Sequence, residues 1–287
     1  MRRLLIAAAL LLALPAAARA QQGLLLVAHG AGHEWNARVR ETLAQVRWTR
    51  GPAGVAFLMG EEADSAGWDA AVARLIRDGA KEIVVVPLMV SSHGSHYRQI
   101  RYYAGELDSL PPELASHDHG PAHAAPAVPM RVTPALDAAP ELAQALAGRW
   151  SALDERDRGR PLLLVAHGPN SAGDAERWIA DISAVSEGLR RATGRELHVA
   201  LLRDDAPAAV RAAAVQAMRD SVLAMAARAG DSVVAMPVMI SSGSITRTKI
   251  PRDLADLPLR YHAEPLAPQA ALARWIERSA ALAVAVR

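Results

Sequence analysis

Three histidines follow two apolar stretches of this chain and could hold a metal ion. His29 comes directly after the run from Leu24 to Ala28, and His93 and His96 follow the run that begins at Ile83. Neutral imidazole suits first-row ions such as Co²⁺, Fe²⁺, Ni²⁺ and Zn²⁺. A site with two or three imidazoles keeps coordination positions open, which is typical of a reactive site rather than a structural cage. We therefore predict a metal site formed by His29 with either His93 or His96.

Both apolar stretches occur twice in the chain. The heptapeptide from Leu24 to Gly30 recurs unchanged from Leu162 to Gly168, and the stretch from Ile83 to Ser92 corresponds in pattern to that from Val233 to Ser242. Two matched segments in the same order indicate duplication of a whole domain rather than a short repeat.

The elements around these segments alternate between strands and helices, which predicts βαβ units and a parallel sheet in each copy. Ligands bind beyond the carboxyl ends of parallel strands, so the strand-end histidines are expected to share one cleft. In the first copy the predicted strands are 24–28, 54–58, 83–86 and 130–132, and the predicted helices 34–48, 66–78 and 138–150. In the second copy the predicted strands are 162–166, 197–202 and 233–236, and the predicted helices 174–192 and 206–229.

The chain divides into three predicted segments. Residues 1–20 are a predicted signal peptide, 21–153 the N-terminal domain and 160–287 the C-terminal domain, with a charged boundary segment from Asp154 to Arg160. The signal peptide is indicated by two early arginines, an apolar run from Leu4 to Pro15 and the cleavage pattern Ala18-Arg19-Ala20. That run is shorter than the roughly 20 residues that span a bilayer. We expect an exported, periplasmic protein without an integral membrane segment after cleavage; an uncleaved N-terminal anchor is the alternative.

Composition excludes several classes of site and partner. The chain has no cysteine, so disulfides and thiolate metal sites are impossible. Its formal net charge of +2 falls close to zero when the three arginines of the signal peptide are removed. A nearly neutral mature chain does not indicate a nucleic-acid partner.

A histidine-rich tract lies in the loop between residues 109 and 129. Such tracts commonly bind metal. The tract is either an auxiliary metal-capture loop or a connector without a role, and its imidazoles are those of His117, His119 and His123.

The two motifs together resemble those of the sirohydrochlorin chelatases of the short cobaltochelatase and ferrochelatase type, the class II chelatases, in a duplicated form. The resemblance rests on Val27-Ala-His-Gly30, on the strand Val85-Val-Pro-Leu-Met-Val90 and on the Gly94-Ser-His96 that follows it. It implies an α/β fold of two tandem chelatase-like α/β/α domains, each with a mainly parallel sheet, facing across a cleft. It also implies a lyase that inserts Co²⁺ or Fe²⁺, with Ni²⁺ a further candidate, into a tetrapyrrole of cobalamin or sirohaem synthesis. The metal would be a substrate, and no organic cofactor is implied.

The resemblance also implies roles for particular residues. His29 and His96 correspond to the metal pair, and His96 is favoured over His93 because it stands two positions after Gly94. The substrate would lie against Gly30, Ser91, Ser92 and Gly94. Basic residues that could clamp the tetrapyrrole carboxylates, or could simply be solvated charges, are Arg98, Arg101, Arg247 and Lys249.

The sequence departs from the family pattern in both domains. Met59 stands where the family often has a glutamate, so Glu61 or Glu62 is expected to substitute, with Glu62 as a proton acceptor. In the C-terminal domain His167 remains, but Ile245 stands where the second histidine would be. We therefore expect one active site per chain, in the N-terminal domain, with the C-terminal domain forming the other wall of the cleft.

Metal insertion has one alternative on this scaffold, and a further function is excluded by the sequence. Export conflicts with a biosynthetic role in the cytoplasm, so the alternative is an exported, non-enzymatic protein that carries metal or tetrapyrrole on the same scaffold. A histidine phosphatase would need an arginine before the strand-end histidine, and Ala28 and Ala166 occupy those positions. The oligomeric state is left open.

Overall fold

The computed structural model describes residues 21–110, 114 and 126–285. The predicted signal peptide and the three histidines of the 109–129 loop lie outside the described residues. In the described part of the chain, no helix is both long and apolar enough to cross a membrane.

The N-terminal domain is built on a parallel sheet with the strand order β2-β1-β3-β4. The apolar run that predicted the first strand is completely buried between layers of helices, as expected for a parallel sheet covered on both faces. Its strands are β1 (Gln22–Ala28), β2 (Ala53–Phe57), β3 (Glu82–Pro87) and β4 (Met130–Val132). Its helices are α1 (His33–Ala44), α2 (Ala63–Ala66), α3 (Trp68–Arg77), α4 (Ser95–Tyr103) and α5 (Pro140–Ser151).

Helix α4 was not predicted, and two of the predicted helices have other bounds than expected. Helix α1 ends at Ala44 rather than at Trp48, because the chain turns there and the Trp48 indole donates a 2.9 Å hydrogen bond to the Gln22 carbonyl. The helix predicted over 66–78 is α3, which begins at Trp68 because Gly67 has an extended backbone with ψ of 179° that separates it from the short α2.

The C-terminal domain repeats the architecture, with the strand order β6-β5-β7-β8. Its strands are β5 (Leu162–Ala166), β6 (Leu197–Leu201), β7 (Val233–Val238) and β8 (Leu259–Tyr261). Its helices are α6 (Glu155–Arg158), α7 (Ala172–Thr193), α8 (Ala208–Ala229), α9 (Ile250–Asp253) and α10 (Ala270–Ala285), with a π-helical turn at Ile245–Lys249. The prediction of two α/β/α units with parallel sheets is confirmed, and β8 and α10 are elements that the sequence pattern did not predict.

The last helix of each domain packs against the other domain. Helix α5 lies on α7, and its Arg149 donates a 2.6 Å hydrogen bond to the Pro237 carbonyl of β7. Helix α10 lies on α1 and β3, and α5 and α10 contact each other. Their apolar side chains join one core that includes strands of both sheets.

The charged boundary segment is folded rather than extended. It contains α6, and Asp157 is completely buried. The Asp157 carboxylate lies 2.6 Å from the Arg260 guanidinium and 2.8 Å from His262 Nε2. This segment is therefore fixed to β8 and to the residue after it.

Candidate metal centre

His29 lies at the carboxyl end of β1, where the chain turns sharply. The turn requires glycine next to it: Gly30 has φ of +87°, and a Cβ there would lie 2.1 Å from the Met59 carbonyl oxygen. The ring Nδ1 of His29 lies 2.8 Å from the Gly30 carbonyl oxygen. Because a carbonyl oxygen only accepts, Nδ1 must carry the proton in the neutral ring, and Nε2 carries the lone pair that a metal needs.

His96 lies in the first turn of α4, and a chain of two hydrogen bonds through a buried glutamine fixes the orientation of its ring. Gln99 is completely buried, and its amide nitrogen donates a 2.8 Å hydrogen bond to the Tyr103 hydroxyl. The Gln99 oxygen therefore faces His96 Nδ1, at 3.0 Å, and accepts its proton. As in His29, the lone pair is placed on Nε2, and a second residue orients the ring, as is usual for metal-binding histidines.

The two imidazoles meet edge to face. Their ring centres are 4.9 Å apart, with an angle of 85° between the planes. Two imidazoles on one ion, each with a metal–nitrogen distance of about 2.1 Å, have ring centres roughly 5 Å apart. The geometry therefore suits two ligands of a single ion.

Burial keeps His29 in the form that binds metal. Burial first, and then the neighbouring His96, lower the pKa of His29 to about 4. The ring is therefore neutral at neutral pH, and protons do not compete with a metal for its lone pair.

The C-terminal domain presents a different set of groups across the cleft. His167 repeats the geometry of His29, with Nδ1 2.8 Å from the Gly168 carbonyl oxygen, and its Nε2 lies 3.4 Å from Asp205. The charges of His167 and Asp205 act on the pKa of His29, which indicates that the two domains face each other here. Ile245 is packed against the apolar core of its own domain.

Asp204 and Asp205 were not identified from the sequence. Asp205 stands four residues after the end of β6, as Glu61 stands four residues after the end of β2, which is a signal that the sequence contains. The side chain of Asp204 is held by Lys249 and Arg211, which leaves Asp205 as the more exposed carboxylate beside His167.

His93 is directed away from His29 and toward the C-terminal domain. Its Nε2 lies 3.6 Å from Asp181 on α7, and its backbone carbonyl accepts a 2.5 Å hydrogen bond from the Trp178 indole. Of the two histidines that the sequence left as alternatives, the structure brings His96 to His29.

The other predicted residues of this loop support its shape. Ser91 accepts a hydrogen bond from the backbone of His93, and Ser92 donates to Asp137 through both its backbone and its hydroxyl. Gly94 has extended backbone, and a Cβ there would meet no atom within 4 Å.

Glu62 is bound to residues of α1. Its carboxylate accepts hydrogen bonds from Arg40 and, at 3.1 Å, from Asn36. The hydrogen bond from Arg40 is the largest cause that lowers the pKa of Glu62. Among the described residues no contact joins Glu62 to His29, and the neighbouring Glu61 accepts from the backbone of His33 instead.

The four predicted basic residues all form ion pairs. Arg98 binds Asp174 of α7 at 3.2 Å, and Arg247 binds Glu34 of α1 at 2.5 Å, so these two equivalent arginines each join one domain to the other. Arg101 pairs with Glu106, and Lys249 with Asp204, within their own domains.

Comparison with known proteins agrees with this architecture. The model of the CbiX family matches residues 23–153. No curated protein matches this chain.

Several solved chelatase structures share the fold over nearly the whole chain. SirB from Bacillus subtilis with Fe³⁺ is 14% identical, with a TM-score of 0.63 over 92% of this chain and 96% of that chain. SirB from Bacillus subtilis subspecies spizizenii, in complex with cobalt, is 14% identical, with a TM-score of 0.60 over 91% and 94%. CbiX from denitrifying bacteria, described as the terminal enzyme for biosynthesis of siroheme, is 16% identical, with a TM-score of 0.50 over 91% and 99%.

The family match covers the domain that contains both His29 and His96, and the shared fold extends through the second domain. Residues 23–153 of this chain therefore match the CbiX family, and the fold of the whole chain is that of the solved chelatases.

Proposed function

We propose that this protein is a chelatase that inserts Co²⁺ or Fe²⁺ into a sirohydrochlorin-type tetrapyrrole. The observation that carries the proposal is the pair of imidazoles of His29 and His96, fixed in one tautomer and 4.9 Å apart between ring centres. Two neutral nitrogen ligands hold a divalent ion while coordination positions remain for the pyrrole nitrogens.

The reaction requires an ion that loses water and a base that takes the two pyrrole protons one at a time, passing the first to water before it accepts the second. His29 suits the first task and not the second, because burial lowers its pKa to about 4. His167 suits the second, because the imidazolium formed there would be stabilised by Asp205, 3.4 Å away. Glu62 is a weaker candidate for the base, since its bond to Arg40 lowers its pKa.

The substrate carboxylates would be bound at the domain junction. Arg98 and Arg247 lie on opposite domains, and each is partly exposed while paired with a carboxylate of the other domain. A tetrapyrrole that entered the cleft would exchange its own carboxylates for those of Asp174 and Glu34. Binding would then be coupled to a change in how the domains contact each other.

Export to the periplasm is part of the proposal, and it supports a second candidate function. The features of a signal peptide in residues 1–20 favour a location outside the cytoplasm, where cobalamin and sirohaem are not expected to be made. An exported, non-enzymatic carrier of metal or tetrapyrrole would use the same histidine pair for binding alone.

An insertion assay separates the two functions. Mature protein, Co²⁺ or Fe²⁺ and sirohydrochlorin are combined, and the absorbance of the metallated product is followed against a protein-free reaction. The enzyme is expected to accelerate insertion, and His29→Ala and His96→Ala are each expected to reduce the rate about 100-fold or more, since each removes a ligand. His198→Ala is the control, because His198 lies in the C-terminal domain and contacts Ser221 of that same domain.

The outcomes are distinct. Tight binding of metal or tetrapyrrole with no rate above the protein-free reaction would support the carrier. Full insertion activity in both His29→Ala and His96→Ala would contradict a role of the histidine pair in the enzyme or in a carrier.

A further inference from the structure

A second group of metal-ligating side chains lies where the two domains touch, apart from His29 and His96. It consists of His93 from the loop after β3, Asp137 from the loop after β4, and Asp181 from α7. One ligand atom from each lies within 4.8 Å of the others, and His93 Nε2 is 3.6 Å from Asp181 Oδ2. Two of the three residues come from the N-terminal domain and one from the C-terminal domain.

Asp181 has an oxygen that protein atoms do not satisfy. Its Oδ2 is buried and accepts no hydrogen bond from the described residues. Burial first, and then the nearby Asp137, raise the pKa of Asp181, as expected for two neighbouring carboxylates that are partly buried. Such an oxygen is costly unless a cation is beside it.

The remaining ligands are held in place before any ion binds. Asp137 has φ of +43° and accepts hydrogen bonds from the Ser92 backbone at 2.5 Å and the Ser92 hydroxyl at 2.7 Å. Each of its oxygens keeps a lone pair after accepting one bond. The backbone of His93 is fixed at both ends of its peptide, by Ser91 Oγ and by the Trp178 indole.

We propose that His93, Asp137 and Asp181 form a second site, for a divalent first-row transition ion such as Co²⁺ or Zn²⁺, and that the bound ion joins the two domains. An imidazole with two carboxylates suits these ions rather than Mg²⁺ or Ca²⁺, which prefer oxygen alone. Tetrahedral ligands at about 2.1 Å from an ion lie roughly 3.4 Å apart. The 3.6 Å between His93 and Asp181 is therefore close to the separation that one shared ion would give.

This inference goes beyond the proposed function. The ion at this site would be a structural one, separate from the ion delivered to the tetrapyrrole. The alternative that the experiment tests against is an ion pair between His93 and Asp181 without a metal.

The experiment isolates this site from the other candidate ligands. The background is the mature chain with His29, His96, His117, His119 and His123 all changed to alanine, so that neither the proposed centre nor the histidine-rich tract can bind metal. Co²⁺ is titrated calorimetrically into this protein. One site is expected to remain, and both Asp181→Asn and His93→Gln are expected to weaken it 10-fold or more.

Two control variants make the result specific. Glu176→Gln removes an exposed carboxylate from the same helix and should leave Co²⁺ affinity unchanged. Asp205→Asn removes the carboxylate beside His167 and should also leave it unchanged. No Co²⁺ binding in the background protein, or binding lost in Asp205→Asn and kept in Asp181→Asn, would overturn the proposal.

Thermal unfolding gives an independent readout that does not depend on activity. Saturating Zn²⁺ is expected to raise the Tm of the background protein by about 2–4 °C or more, since an ion bound only to the folded chain stabilises it. The same addition should leave the Tm of the Asp181→Asn variant unchanged. Equal shifts in both proteins would contradict the site.

Discussion

At the scale of single residues, the candidate metal centre depends on which nitrogen of each imidazole carries a proton. The Gly30 carbonyl fixes this for His29, and the Gln99 amide fixes it for His96. The residues that orient the two imidazoles are therefore expected to affect metal affinity nearly as much as the imidazoles themselves. Gln99 could not be identified from the sequence, because the sequence does not show whether the side-chain amide of a glutamine is buried.

Gln99 is predicted to act on metal affinity through His96. Gln99→Leu removes the acceptor for His96 Nδ1 and is expected to weaken Co²⁺ binding at the His29–His96 pair about 10-fold or more. Gln99→Glu keeps an acceptor and is expected to restore most of the affinity. Calorimetric titration of both variants measures the difference, and equal affinities would show that Gln99 does not orient the ligand.

The lowered pKa of His29 predicts a pH dependence of stability. The unfolded chain takes up a proton near pH 6.5, whereas the folded chain does so only near pH 4, so acidification favours the unfolded state across this interval. His29 is expected to account for a loss of roughly 3 kcal/mol of unfolding free energy in total between pH 7 and pH 4.

Urea unfolding of metal-free protein between pH 7 and pH 4 measures this effect. The His29→Gln variant should lose less stability than the original chain over the same interval. An identical decrease in both proteins would show that the His29 ring is not shielded from protons.

At the scale of elements, the strand-to-loop turn after β1 decides where His29 lies. Gly30 has a positive φ and closely approaches Met59, whereas Gly94 before α4 has extended backbone and open space around it. The family motif contains both glycines, yet only the first is demanded by the backbone here.

The two glycines should therefore respond differently to substitution. Gly30→Ala is expected to destabilise the fold by about 1–3 kcal/mol or more, because the new Cβ meets backbone and the φ is unfavourable. Gly94→Ala is expected to be nearly neutral. Urea unfolding of both variants provides the comparison, and equal effects would contradict the described turn.

Strands that contain a long apolar run were predicted from the sequence, whereas short elements were predicted less often. The runs at β1, β3, β5 and β7 predicted both sheets. The strands β4 and β8 each have only three residues with an arginine in the middle, so neither has an apolar run, and only β4 was predicted. The residue types alone left His93 and His96 as alternatives, and the family resemblance favoured His96 from its position after Gly94. The contact of His93 with α7 of the other domain could not be predicted from the sequence.

At the scale of the whole molecule, the two domains are not independent bodies. Helices α5 and α10 each pack on the opposite domain, and Arg278 of α10 binds Glu141 of α5 through two hydrogen bonds of 2.8 and 2.7 Å. Duplication of a motif in the sequence predicts two similar units, but it does not predict that their last helices cross.

Crossed helices predict that the chain unfolds as one unit. Scanning calorimetry of the mature protein is expected to give a single transition with equal calorimetric and van't Hoff enthalpies. The fragment 21–153 alone should not fold stably, because it lacks α10 over β3. Two separate transitions, or a stably folded fragment, would contradict the shared core.

The proposed function depends on His29 and His96 holding one ion together. Crystals of the mature protein soaked in Co²⁺ and measured at the cobalt absorption edge show whether they do. An anomalous peak is expected about 2.1 Å from Nε2 of both rings. A peak bound to only one of them, or none in the cleft of a crystal that shows cobalt elsewhere, would contradict it.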